Sequence, residues 1–147
     1  MRFIITARSG PDTPEPPDPN EPFDEELFSA YMRFNVEMHK AGVLVASEGL
    51  RHNGHVASVE VKKGKRSLVD GPFTESKELV GGFYIIEVDS EKEAIEWALR
   101  CPTGLGFDDV LEVRALTGET DIPPRLLELV RAAAPTWSTT FSKKPKH

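Results

Sequence analysis

The sequence predicts an α+β domain, an antiparallel sheet with two helices packed on one face. Three observations lead there. Short apolar runs rich in β-branched residues recur along the chain, and two stretches of helical periodicity fall between them. No apolar run approaches the ~20 residues needed to cross a bilayer. The resulting order is strand, helix, strand, hairpin, strand, helix, strand, which sets two helices among mostly antiparallel strands.

"RFIITA" (2–7) is short, apolar and β-branched, and reads as a central strand. The next segment, "RSGPDTPEPPDPNEP" (8–22), holds six of the twelve prolines. It can be neither helix nor inner strand, so an extended surface loop is expected there, placed to cover a cleft. "PFDEELFSAYMRFNVEMHKAG" (22–42) is the clearest helix. Leu27, Tyr31, Phe34 and Met38 recur at helical spacing as one apolar stripe. Asp24, Glu25 and Glu26 fill its first turn and His39 and Lys40 its last, as the helix dipole prefers, and Gly42 stops it. "VLVASEGL" (43–50) reads as a strand and "HVASVEVKKGKRSLVD" (55–70) as a hairpin turning near Gly64. "GGFYIIEVD" (81–89) is a further strand, and Ser90 and Glu93 have capping-box spacing for a helix through Arg100. "DVLEVRAL" (109–116) closes the sheet. A short helix is expected from Pro124 to Ala134, with Leu126, Leu127 and Val130 on one side, before a polar, lysine-bearing tail.

Chemistry is bounded by composition. A chain of 147 residues fits one domain with a sizeable core. Its net charge of −6 argues against coating nucleic acid or an anionic membrane by electrostatics. Cys101 is the single cysteine, which excludes an internal disulfide and points to a reducing compartment. With no signal-peptide pattern in the N-terminal stretch, a cytoplasmic location is expected. His52 and His55 in "RHNGH" lack a third ligand nearby, so no metal site is expected. No phosphate-cradling loop, dinucleotide fingerprint or Ser–His–Asp pattern is present, and no cofactor is expected. Apolar residues on both sides of "FII" and "FYII" would leave one sheet face bare, and a homodimer closing two sheets face to face is the simplest cover.

Residues 69–84, "VDGPFTESKELVGGFY", concentrate the unusual chemistry. An Asx-turn from Asp70 would bond the amide two residues on, but that residue is Pro72, which has none. The carboxylate must therefore bond the amide of Phe73 or Thr74, reach another side chain, or stay free for a ligand. Lys77 either pairs with Asp70 or serves a bound anion. Glu48 ends its strand near the same region. Arg114 alternates with Val113, and so lies opposite the core.

"AGVLVASEGL", "VDGPFTESKELVGGFYIIEVDSEKEAIEWA" and "LEVRAL" resemble the YCII-related family in its DGPF-motif branch, over roughly residues 2–116. The resemblance implies a ferredoxin-like fold of the dimeric α/β-barrel type, with a cleft between the sheet and the helices or the partner subunit. On that division residues 1–116 are the DGPF domain, and 117–147 are an extension of the same unit. Family members are mostly small bacterial proteins without an established reaction, and some are encoded beside extracytoplasmic-function sigma factors. In another branch a first-helix histidine and the aspartate of a "DP" motif form a proposed catalytic pair. Asp70 matches that aspartate, but the histidine's place falls near Tyr31. The expectation is thus a small-molecule-binding homodimer with acid–base chemistry centred on Asp70, and with Tyr31, Glu48, Lys77 and Arg114 around the ligand. The alternative is a non-catalytic module linked to sigma-factor-dependent transcription.

Overall fold

A computed structural model describes residues 1–9, 24–50, 57–70, 80–103 and 109–133. In chain order these form β1 (Arg2–Ser9), α1 (Glu25–Lys40), β2 (Leu44–Gly49), β3 (Ala57–Lys62), β4 (Lys65–Asp70), β5 (Val80–Glu87), α2 (Glu91–Leu99), β6 (Asp109–Ala115), a 3₁₀ turn (Glu119–Asp121) and α3 (Pro124–Ala133).

One sheet has the order β2-β5-β1-β6, every neighbouring pair antiparallel. Two β-α-β halves, β1-α1-β2 and β5-α2-β6, interleave to make it, which is the ferredoxin-like arrangement. The hairpin β3–β4 forms a separate two-stranded sheet. The ends of the segment between β2 and β5 are held together where Leu50 N–H donates to the Gly81 carbonyl at 2.9 Å.

Alternation along the strands sorts the two faces. Phe3 and Ile5 on β1 and Tyr84 and Ile86 on β5 are buried against Phe34 and Met38 of α1 and Ala94 and Ala98 of α2. Both helices therefore cover the same face. Ile4, Phe83 and Ile85, the intervening residues, point the other way and are only partly covered. Phe34 packs edge-on against Tyr84, their ring centroids 5.6 Å apart, and also meets Trp97 at 6.1 Å.

Local signals place the ends. Asp24 is the N-cap of α1, not a first-turn residue, and its Oδ1 accepts from the Leu27 amide at 2.9 Å. Ser90 caps α2 through the Glu93 amide at 3.2 Å, while the Glu93 carboxylate reaches back to the Asp89 amide. Lys63 and Gly64 both have positive φ, 50° and 78°, as a two-residue hairpin turn of the primed kind requires. β1 runs two residues past its predicted end, because Arg8 and Ser9 still find partners on β6. The proline-rich segment 10–23 lies outside the described residues, as do His52 and His55.

Close packing explains Gly82, the second of the paired glycines at 81–82. A Cβ there would come within 3.0 Å of the Glu48 carbonyl oxygen on β2. The bare glycine lets β5 approach its neighbour.

Candidate functional site

Tyr31 lies on the helical side of the sheet, on the core-facing stripe of α1, half-buried against the core. Around it gather three groups from other elements. Tyr84 comes from β5, Cys101 from just beyond α2, and Thr103 from two residues later. The Thr103 hydroxyl donates to Cys101 Sγ at 3.0 Å. Two phenols, a thiol and a hydroxyl thus share one partly buried region.

Burial makes this group harder to ionise. It is the first cause lifting the Tyr31 hydroxyl above its usual range, opposed by a hydrogen bond with Thr103 and helped by the charges of Cys101 and Asp109. Tyr84 is pushed far up, again first by burial and then by the neighbouring Cys101 and Tyr31. The Cys101 thiol is raised by burial despite hydrogen bonds from Thr103 and Tyr84. A raised thiol is a poor nucleophile, so Cys101 acts here as a packed neighbour. At neutral pH the cluster can donate and accept hydrogen bonds but carries no formal charge. It suits contact with a neutral or weakly acidic oxygen-bearing group.

The remaining candidates sit elsewhere. Glu48 is exposed on β2, opposite Phe83. Arg114 is exposed on β6, opposite Ile4, while Val113 packs toward the core, as the alternation predicts. Both belong to the face away from the helices, at opposite edges of the sheet. With β5 and β1 between them and an offset of two residues along the strands, their backbones stand roughly 16 Å apart at the usual strand spacing and rise. On that same face Arg8 Nε meets Glu112 Oε1 at 3.1 Å. Asp70 ends β4 in the separate hairpin, at the ladder position opposite Ala57. Lys77 lies outside the described residues, with positions 71–79. Tyr31 is therefore brought together with neither Glu48 nor Arg114. Tyr84, Cys101 and Thr103 are the neighbours it does acquire.

Among the described residues no group of three or more His, Cys, Asp or Glu side chains could hold a metal ion. No described helix is long and apolar enough to cross a membrane. A shallow groove of about 230 Å³ runs between α1 and the end of α2, lined by Ala30, Arg33, Phe34, Glu37, Arg100 and Pro102. Its charge is partly spent internally, because Arg100 pairs with Glu37 and stacks 4.4 Å over the Trp97 ring.

Strand order and helix placement together define a ferredoxin-like α+β domain. The YCII-related domain family matches residues 1–117, and the chain belongs to that family. Among solved structures, the chain is similar to 5-chloro-2-hydroxyhydroquinone dehydrochlorinase from Burkholderia phenoliruptrix AC1100, in complex with 2,5-dihydroxybenzoquinone. That likeness is 15% in identity with a TM-score of 0.42, and covers 84% of this chain and 100% of the other. No curated protein matches the chain.

Proposed function

We propose that the protein is a homodimer that binds a small molecule beside Tyr31, with Asp70 as its proton-transfer or ligand-orienting carboxylate. The observation that carries this reading is the Tyr31–Tyr84–Cys101–Thr103 cluster. Two phenols and a hydroxyl gathered beside a thiol on the helical side of a small sheet offer several hydrogen-bond donors and acceptors at one place. A ligand with carbonyl, phenolic or carboxyl oxygens would be held by Tyr31 as donor. Lys77 would serve as partner for its negative charge. Glu48 and Arg114 would act at the dimer seam, away from the Tyr31 side, since both lie on the open sheet face. Dimerisation is supported by that same face, where Ile4, Phe83 and Ile85 have no helix over them among the described residues.

Native mass spectrometry of the purified protein tests the binding reading, followed by thermal-shift titration with phenols and small aromatic carboxylates. A retained or added ligand is expected on the parent and weakened at least tenfold in Tyr31→Phe. A parent that neither retains nor binds any member of the panel overturns it. For the acid–base step, Asp70→Asn should keep ligand binding and lose turnover. A melt in which Asp70→Asn and Asp70→Ala are both destabilised, with ligand binding and turnover intact, would make Asp70 a structural cap instead.

A further inference from the structure

The β3–β4 hairpin carries an apolar face over which nothing lies among the described residues. Its ladder sets Val59 opposite Leu68 and Val61 opposite Arg66, so Val59, Val61 and Leu68 share one side. They are 65%, 55% and 67% exposed. A lone two-stranded hairpin is marginal in water, yet the Lys63–Gly64 turn pins this one in register, keeping its apolar residues together.

Charge indicates what covers that face. Residues 57–70 hold Lys62, Lys63, Lys65 and Arg66 against Glu60 and Asp70, a net +2 in a chain whose total is −6, so the rest carries −8. Lys62 leans back to Glu60 at 3.3 Å, which leaves Lys63, Lys65 and Arg66 to face outward partners. Every copy of the chain presents the same acidic remainder, so a second copy is electrostatically complementary to the basic tip. In sequence the hairpin falls between β2 and β5, whose facing ends are joined by the Leu50–Gly81 hydrogen bond and which carry Glu48, Phe83 and Ile85 on the open sheet face.

We infer that the β3–β4 hairpin is a dimerisation arm, which lays its Val59–Val61–Leu68 face and its basic tip on a second copy of this chain. Two arms exchanged about a two-fold axis make a self-complementary interface. Because β4 ends at Asp70, the arm carries Asp70 to the junction of the two chains, and a site built on it is composite. This inference rests on the homodimer proposed above.

Sedimentation velocity and hydrogen exchange, run on the parent at several concentrations, test it. The parent is expected to be a dimer at micromolar concentration. Amide protection of residues 57–62 and 65–70 should fall on dilution, while that of β1 and β5 persists. A Val59→Ser/Leu68→Ser double variant should weaken association at least tenfold. The tip variant Lys65→Glu/Arg66→Glu should also weaken it, as added salt should for the parent. If the double variant misfolds by circular dichroism, the tip variant and the parent's dilution series decide the matter. Association as tight as the parent's in folded arm variants overturns the arm while leaving a sheet-face dimer standing. A parent that is monomeric at micromolar concentration overturns both. Phosphatidylserine vesicles captured by the parent through the hairpin, with the dimer unchanged in the arm variants, would give the face to a membrane surface and overturn the arm as well.

Discussion

The four-stranded sheet and the hairpin are built from similar residues and solve burial in opposite ways. In the sheet, Phe3, Ile5, Met38 and Ile86 are 2% exposed or less, because two helices close over one face. In the hairpin, valines and a leucine on one side stay more than half exposed. Pairing alone satisfies backbone hydrogen bonds, whereas burying apolar side chains needs a second layer. The sheet finds that layer within the chain. Among the described residues, the hairpin finds none.

Substitutions at matched positions sharpen the contrast. The largest effect is expected at Met38, which is fully buried where α1 meets the core. Met38→Ala should cost about 2–5 kcal/mol in urea unfolding, since the cavity has no means of closing. A loss well below that range would show that the helical layer is loosely packed. Gly82→Ala comes next. Its new methyl would push on the Glu48 carbonyl oxygen, so about 1–3 kcal/mol should be lost through strain between β5 and β2.

Alkaline titration probes the interior from another side. The chain has two tyrosines, and both are in the Tyr31 cluster. Tyr84 has a folded-state pKa raised above its ordinary value of 10.0. The unfolded chain therefore releases that proton first. Stability from the buried neutral phenol is intact below about pH 10 and declines as pH rises beyond it. Tyr84→Phe should flatten that decline, and tyrosinate absorbance of the native parent should rise later than that of the unfolded chain. Simultaneous titration of folded and unfolded tyrosine would refute the burial of this cluster. Smallest of all is Leu68→Ala on the hairpin. At concentrations where the chain is a monomer, it should move unfolding stability by no more than about 0.5 kcal/mol. A loss comparable to that of Met38→Ala would mean that the hairpin's apolar face is buried within its own chain.

What the sequence revealed tracks the range of the interactions involved. α1 was legible from Tyr31, Phe34 and Met38 at helical spacing, and α2 from Ser90 and Glu93, because those signals lie within one or two turns. The two-sided apolar character of β1 and β5 likewise announced an open sheet face. That the hairpin stands apart from the main sheet was not legible. Strand pairing depends on contacts between distant positions, and β3 and β4 alternate like any other strands. Nor was the Tyr31 cluster, for Tyr84 reads as strand core and Cys101 as a helix-end packing residue until the fold sets them beside Tyr31. The available signal was that both tyrosines and the lone cysteine fall on apolar stripes, where a polar tip has to find a partner.

The hydrogen bond from Leu50 to Gly81 has a consequence for anyone wishing to rebuild this molecule. It fastens the two ends of the whole excursion between β2 and β5, so the chain leaves and re-enters the sheet at one point. Closing a longer or shorter loop between ends already held together changes the closure entropy only slowly, by about 0.6 kcal/mol per doubling of length. The excursion is therefore an exchangeable cassette. It can be shortened to a tight turn, replaced by a foreign peptide, or opened to make new termini, while the register of β2 on β5 is retained.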